Sequence, residues 1–159
     1  MKVEFIDPFI SSAFSVLQTL TGDRPERGNL SLRHATFTSQ QVSIMAGVNG
    51  EIEGAALYAM STNTAKKIAS AMIGAPVEEL DDMALSAVSE LGNMITGQAI
   101  TLLSNKGYNV DITPPSVIRG QEVEVSTKVP ALVIPMKTGF GCVEINVALV
   151  ESAAQRKAA

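Results

Sequence analysis

Residues 89–97 read SELGNMITG and place a carboxylate, Glu90, three positions before a carboxamide, Asn93. Two glycines, Gly92 and Gly97, interrupt the run. Each costs a helix about 1 kcal/mol relative to alanine. At about 100° per residue, Ser86, Glu90, Asn93 and Gly97, spaced 4, 3 and 4, form one stripe of a helix. Ala84, Val88, Leu91, Ile95, Ala99 and Leu102 form a second, core-facing stripe roughly opposite it. Glu90 and Asn93 are therefore neighbours on the outer face, with Cβ atoms about 5–6 Å apart. A carboxylate accepts hydrogen bonds and pairs with cations, and a carboxamide both donates and accepts. The same residues on an exposed helix can equally be solvated surface, with the glycines there for helix–sheet packing.

The helix that positions the pair is expected from about Asp82 to Leu103. The carboxylates of VEELDD favour its N-terminus through the macrodipole, and Lys106-Gly107 closes it. Earlier in the chain, Asp7 can cap a first helix, with Pro8 at its first helical position. Phe9, Ala13, Val16, Leu17 and Leu20 follow at helical spacing, and Gly22 ends that helix. The stretch 42–60 reads as strands joined at Asn49-Gly50, a two-residue hairpin signal. Ser61 or Thr62 can cap a helix over 64–73, which Gly74 and Pro76 stop. After Pro114-Pro115, QEVEVSTKV, PALVIPMK and GCVEINVALV read as strands, the last with Val143, Ile145, Val147 and Leu149 on one face. The tail AAQRKAA is expected to fray.

The order is helix, three strands, helix, helix, three strands. It predicts one domain over 1–159, with halves at about 5–60 and 80–150 and an inserted helix at about 62–74. An internal match supports the halves: ISSAFSVLQTLTG, 10–22, aligns without gaps on LSAVSELGNMITG, 85–97. The slots of Glu90 and Asn93 hold Ser15 and Gln18 in the first copy.

Composition excludes several functions. The formal charge is −4 with no run of Lys and Arg, which argues against nucleic acid and anionic membranes as partners. Charged residues are only 18%, a sparse surface that hints at an oligomer interface. Cys142, the single cysteine, cannot form an internal disulfide and is expected buried at a strand start. His34 is the only histidine and has no cysteine nearby, so no metal constellation is expected. There is no phosphate-cradling loop and no nucleophile elbow. No secretory segment opens the chain and no apolar run reaches the roughly 18 residues of a membrane span. The chain reads as cytoplasmic.

The segment Ser86-x-x-x-Glu90-x-x-Asn93, followed 22 residues later by Pro115, resembles the signature of the CheC/CheX/FliY chemotaxis phosphatases. The repeated helix-plus-strands layout resembles that family over most of the chain. The resemblance implies an α+β fold in which duplicated helix-plus-three-strand halves form a mainly antiparallel six-stranded sheet packed by long helices. It implies hydrolysis of the aspartyl phosphate on a phosphorylated CheY-like receiver domain. Asn93 would orient the attacking water and Glu90 would pair with the receiver's lysine. Ser86, Gly92 and Gly97 would keep the docking face low. No cofactor of the chain's own is implied, the receiver bringing Mg²⁺, and a homodimer is implied, with a sheet that can continue between subunits. Ser15 supplies no carboxylate, so the first helix is read as structural, as in CheX-type members with one site. The competing reading is a non-catalytic module that docks receivers or other two-component signalling proteins.

Overall fold

Val143, Ile145, Val147 and Leu149 do share one face of the last long strand, and all four are fully buried. Around them the computed structural model describes residues 1–158, with side chains through Gln155. In chain order the elements are α1 (Val3–Thr21), β1 (Glu26–Arg27), β2 (Ser31–Arg33), β3 (Thr36–Thr38), β4 (Val42–Gly50) and β5 (Ile52–Met60), then α2 (Thr62–Ile73) and α3 (Asp82–Asn105). The second run of strands is β6 (Val110–Ile112), β7 (Ser116–Arg119), β8 (Glu124–Ser126), β9 (Ala131–Thr138) and β10 (Gly141–Glu151), before α4 (Ala153–Ala158). The tail expected to fray thus forms a short helix, with Ala159 outside the described residues.

The main sheet is antiparallel and has eight strands, where six were expected. It is six strands wide, in the order β1-β9-β10-β5-β4-β6. The extra two arise because each edge is a strand broken in two. β1 and β2 both pair with β9, and β6 and β7 both pair with β4. Pro114-Pro115 interrupts one edge, because proline cannot donate to a ladder. Thr113 bridges that break: its N–H donates to the Gly47 carbonyl, and its hydroxyl accepts from the Gly47 N–H, both at 2.9 Å. Part of QEVEVSTKV leaves the main sheet, with β8 pairing β3 in a separate two-stranded sheet.

Helices α1, α2 and α3 cover one face of the sheet. Phe9 and Leu17 of α1, Ile68 of α2, Leu91 and Ile95 of α3, and Ile44, Tyr58 and Ile145 of the sheet share one core. On the opposite face Arg33 donates to Glu144 at 2.6 Å and to Asn146 at 3.1 Å, and its guanidinium lies 4.9 Å from the Phe37 ring centre. A buried polar residue, Asn146, is satisfied in this way.

Three local expectations need correction. Helix α1 begins at Val3, so Pro8 lies inside it and Asp7 is no cap. Burial of Phe5 and Ile6 extends the helix backwards. The carbonyl of Glu4, which Pro8 cannot serve, accepts instead from Lys106 Nζ at 3.4 Å. Asn49-Gly50 is not a two-residue turn, because both residues pair with β6 (Asn49 with Asp111, Gly50 with Val110). The β4–β5 ladder opens after Val48–Gly54, so the connection is wider. Cys142 is exposed, because it alternates with the inward-facing Val143 near the end of the β9–β10 hairpin.

Candidate functional site

Helix α3 starts where the sequence predicts. Asp81 is its N-cap and accepts from the Ala84 N–H at 2.9 Å, a stabilising arrangement of the usual kind. The inner side carries Ala84, Val88, Leu91, Ile95 and Ala99, all fully buried. Leu102, placed on that stripe by the sequence, is 38% exposed, and Leu103 is buried in its place. The helix runs on to Asn105, and a spacing of four from Ala99 reaches Leu103.

Gly92 also faces inward, which removes it from the docking face. It rests on the cross-strand pair Ile44 and Tyr58. A Cβ at this position would stand 2.6 Å from Ile44 Cγ2 and 3.2 Å from Tyr58 Cδ2. One turn further on, the Tyr58 hydroxyl and Thr96 Oγ1 are hydrogen-bonded at 2.6 Å. Both residues are fully buried. Burial pushes the Tyr58 phenol well above its ordinary range, against a smaller lowering by Thr96. The glycine sets how near α3 approaches the sheet, and the tyrosine–threonine bond fixes its rotation. Neither residue of that bond was singled out from the sequence. The available signal was Val88, Gly92 and Thr96 at intervals of four, which puts a hydroxyl on the buried side, where it needs a partner.

Glu90 and Ser86 are exposed on the outer side of α3, and Asn93 and Gly97 are half-exposed. Asn93 Nδ2 lies 3.5 Å from Glu90 Oε2. That is long for an N–H···O bond, so both groups keep capacity for an outside partner. Nothing lies within 4 Å of the Cβ that Gly97 lacks, so the surface is open there. The structure therefore brings Glu90 and Asn93 together and leaves Ser86 and Gly97 flanking them on the same helix. Ser15 and Gln18 are exposed on α1. Pro115 lies at the break between β6 and β7. Among the described residues no three His, Cys, Asp or Glu side chains group as metal ligands.

A rigid helix that offers a carboxylate beside a carboxamide can engage a cation and orient a water at once, without moving parts. The family model described as "Chemotaxis phosphatase CheX" matches residues 42–137. A Thermotoga maritima protein named CheY-P phosphatase CheX is 34% identical over 138 residues, covering 86% of this chain and 88% of its own. A CheC-like superfamily protein from Shewanella sp. PV-4 superposes with a TM-score of 0.84 at 29% identity, covering 94% of this chain and 99% of its own. The structure of the CheX–CheY–BeF₃–Mg²⁺ complex from Borrelia burgdorferi contains a chain with a TM-score of 0.79 and 31% identity, covering 94% of this chain and 100% of its own. With sequence, family model and architecture in agreement, the chain belongs to the CheX family of chemotaxis phosphatases.

Proposed function

We propose that this protein hydrolyses the aspartyl phosphate of a CheY-like receiver domain. The observation that carries the reading is the Glu90–Asn93 pair, 3.5 Å apart on the open face of a helix locked to the sheet beneath it. A relative named CheY-P phosphatase supports the substrate class. Phosphoryl transfer asks mainly for positioning and charge stabilisation. The receiver brings the phosphoaspartate, the Mg²⁺ and a lysine. Asn93 then holds the attacking water in line through its carboxamide, the task a glutamine performs in small GTPases. Glu90 pairs with the receiver's lysine and so registers the helix against the partner. Ser86 and Gly97 keep the approach low on either side. The chain itself supplies no cofactor.

The same reading includes a cytoplasmic homodimer joined through its sheet. It also treats the chain as a duplication: the strand order is mirrored about the β5–β10 contact, each half supplying a broken edge strand and a hairpin. Among the described residues no helix is long and apolar enough to cross a membrane.

The test is loss of label from a ³²P-phosphorylated CheY-type receiver with and without the protein. Acceleration by the wild type, abolished in Glu90→Ala and Asn93→Ala together, supports the proposal. Binding to a BeF₃⁻-loaded receiver without acceleration favours the docking module instead.

A further inference from the structure

Beside the Glu90–Asn93 pair, α1, α2 and α3 leave a cleft of about 290 Å³ between them. Leu91 and Met94 of α3 form one wall, each the residue that follows a member of the pair. Leu20 and Thr19 of α1 and Met72 of α2 form the others, and no charged side chain lines it. Met94 is 40% exposed, a large apolar group left at the rim.

We propose that this cleft receives one apolar side chain of the receiver, which anchors the complex while Asn93 orients the attacking water. The inference rests on the proposed phosphatase reading for the identity of the partner. A specific interface covers about 800 Å² per partner, a disc of about 16 Å radius. A receiver centred on Glu90 and Asn93 therefore covers the cleft as well. At about 290 Å³ it sits at the lower edge of the range of small-molecule sites, about 300–1,000 Å³, with room for one apolar side chain. An apolar hollow next to polar groups is also the usual form of an energetic anchor with a polar surround. Met72 and Met94 are unbranched and polarizable, so the walls can adjust to the shape that enters. Division of labour follows: the polar pair acts on the reacting groups, and the cleft supplies binding common to ground and transition states.

Such uniform binding appears in KM and leaves kcat alone. The experiment is steady-state dephosphorylation of a ³²P-labelled CheY-type receiver by Met94→Ala and by Thr19→Lys. The first variant removes a wall, and the second plugs the rim from an exposed position without touching the core. Both should raise KM by about tenfold or more with kcat within about twofold of wild type, the size of effect expected for a buried anchor. Val3→Ala, at the far end of α1 and 71% exposed, is the control and should change neither. An unchanged KM in both cleft variants overturns the proposal. If the wild type accelerates nothing, the phosphatase reading falls, and the cleft is judged by Kd for the BeF₃⁻-loaded receiver. A tenfold weakening in both variants then upholds it. Equal Kd values, or no binding by the wild type, overturn it.

Discussion

The same substitution at two glycines of one helix should have opposite effects. Glycine to alanine in a helix interior gains about 1 kcal/mol through propensity. At Gly97 that gain stands alone, because nothing lies within 4 Å of the new methyl group. Gly97→Ala should therefore be more stable than wild type by about 1 kcal/mol, or roughly 2–4 °C in Tm for a chain of this size. At Gly92 the methyl would meet Ile44 Cγ2 at 2.6 Å, with Ile44 Cβ and the Tyr58 ring both at 3.2 Å. Those neighbours are buried, branched or aromatic, and hydrogen-bonded below, so they yield little. Overpacking of this kind costs about 1–3 kcal/mol. Gly92→Ala should then range from unchanged to about 2 kcal/mol less stable. The propensity gain is common to both variants, so their difference isolates the cost of the inserted methyl, about 1–3 kcal/mol. Urea unfolding followed by circular dichroism measures it. Equal stabilities within about 0.5 kcal/mol would refute the close approach of α3 to the sheet. The two variants should also separate in function. Gly97→Ala keeps the fold but raises the docking face, so it should increase KM for the receiver.

Three further outcomes follow from a buried tyrosine, an exposed cysteine and the start of α3. Tyr58 has its phenol pKa raised by burial, so the unfolded chain loses that proton first as pH rises. Its contribution to stability is complete below the unfolded value of about 10 and falls above it by up to about 1.4 kcal/mol per pH unit. Tyr108 is shifted the same way, chiefly by its hydrogen bond to Glu4, and Lys2 likewise by its bond to Glu151. The comparison to make is therefore wild type against Tyr58→Phe. The variant should lose about 1–3 kcal/mol at pH 7, because Thr96 keeps a buried hydroxyl without its partner, and its stability should fall less steeply above pH 10. Parallel curves would contradict the assignment. Cys142 is exposed in the native fold, with its thiol pushed up by partial burial and then by the Glu144 carboxylate. A disulfide reagent should label it without denaturant, yet more slowly than free cysteine at pH 8, and protection until unfolding would show the strand face to be wrong. Asp81→Ala should lose about 0.5–2 kcal/mol through the missing cap, and unchanged thermal stability would remove Asp81 from that role.

Much of the site was legible because it depends on one helix. Spacing alone separated the core stripe from the outward stripe of Ser86, Glu90, Asn93 and Gly97, and the structure keeps both. The slip from Leu102 to Leu103 is a drift of one position at the last turn. Gly92 was readable in principle, four residues after Val88, but two glycines in one short run look alike until something lies beneath one of them. The Tyr58–Thr96 bond joins residues 38 positions apart, and no local pattern pairs them. Long-range pairing also overrode the local signals at Asn49-Gly50, both of which pair with β6, and at the sheet edges, where proximity in space decides which short segments share a neighbour. At Pro8 the rule for helix starts lost to the burial of Phe5 and Ile6.

The central claim is that Asn93 acts on the water while Glu90 acts on the partner. Single-turnover dephosphorylation at saturating protein, paired with Kd for the BeF₃⁻-loaded receiver, tests it most directly. For Asn93→Ala the account predicts a rate at saturation at least about 100-fold lower, the effect of removing one orienting donor, with Kd little changed. For Glu90→Ala it predicts a weakened Kd as well, through the lost pairing with the receiver's lysine. A wild-type rate at saturation in Asn93→Ala would contradict the account.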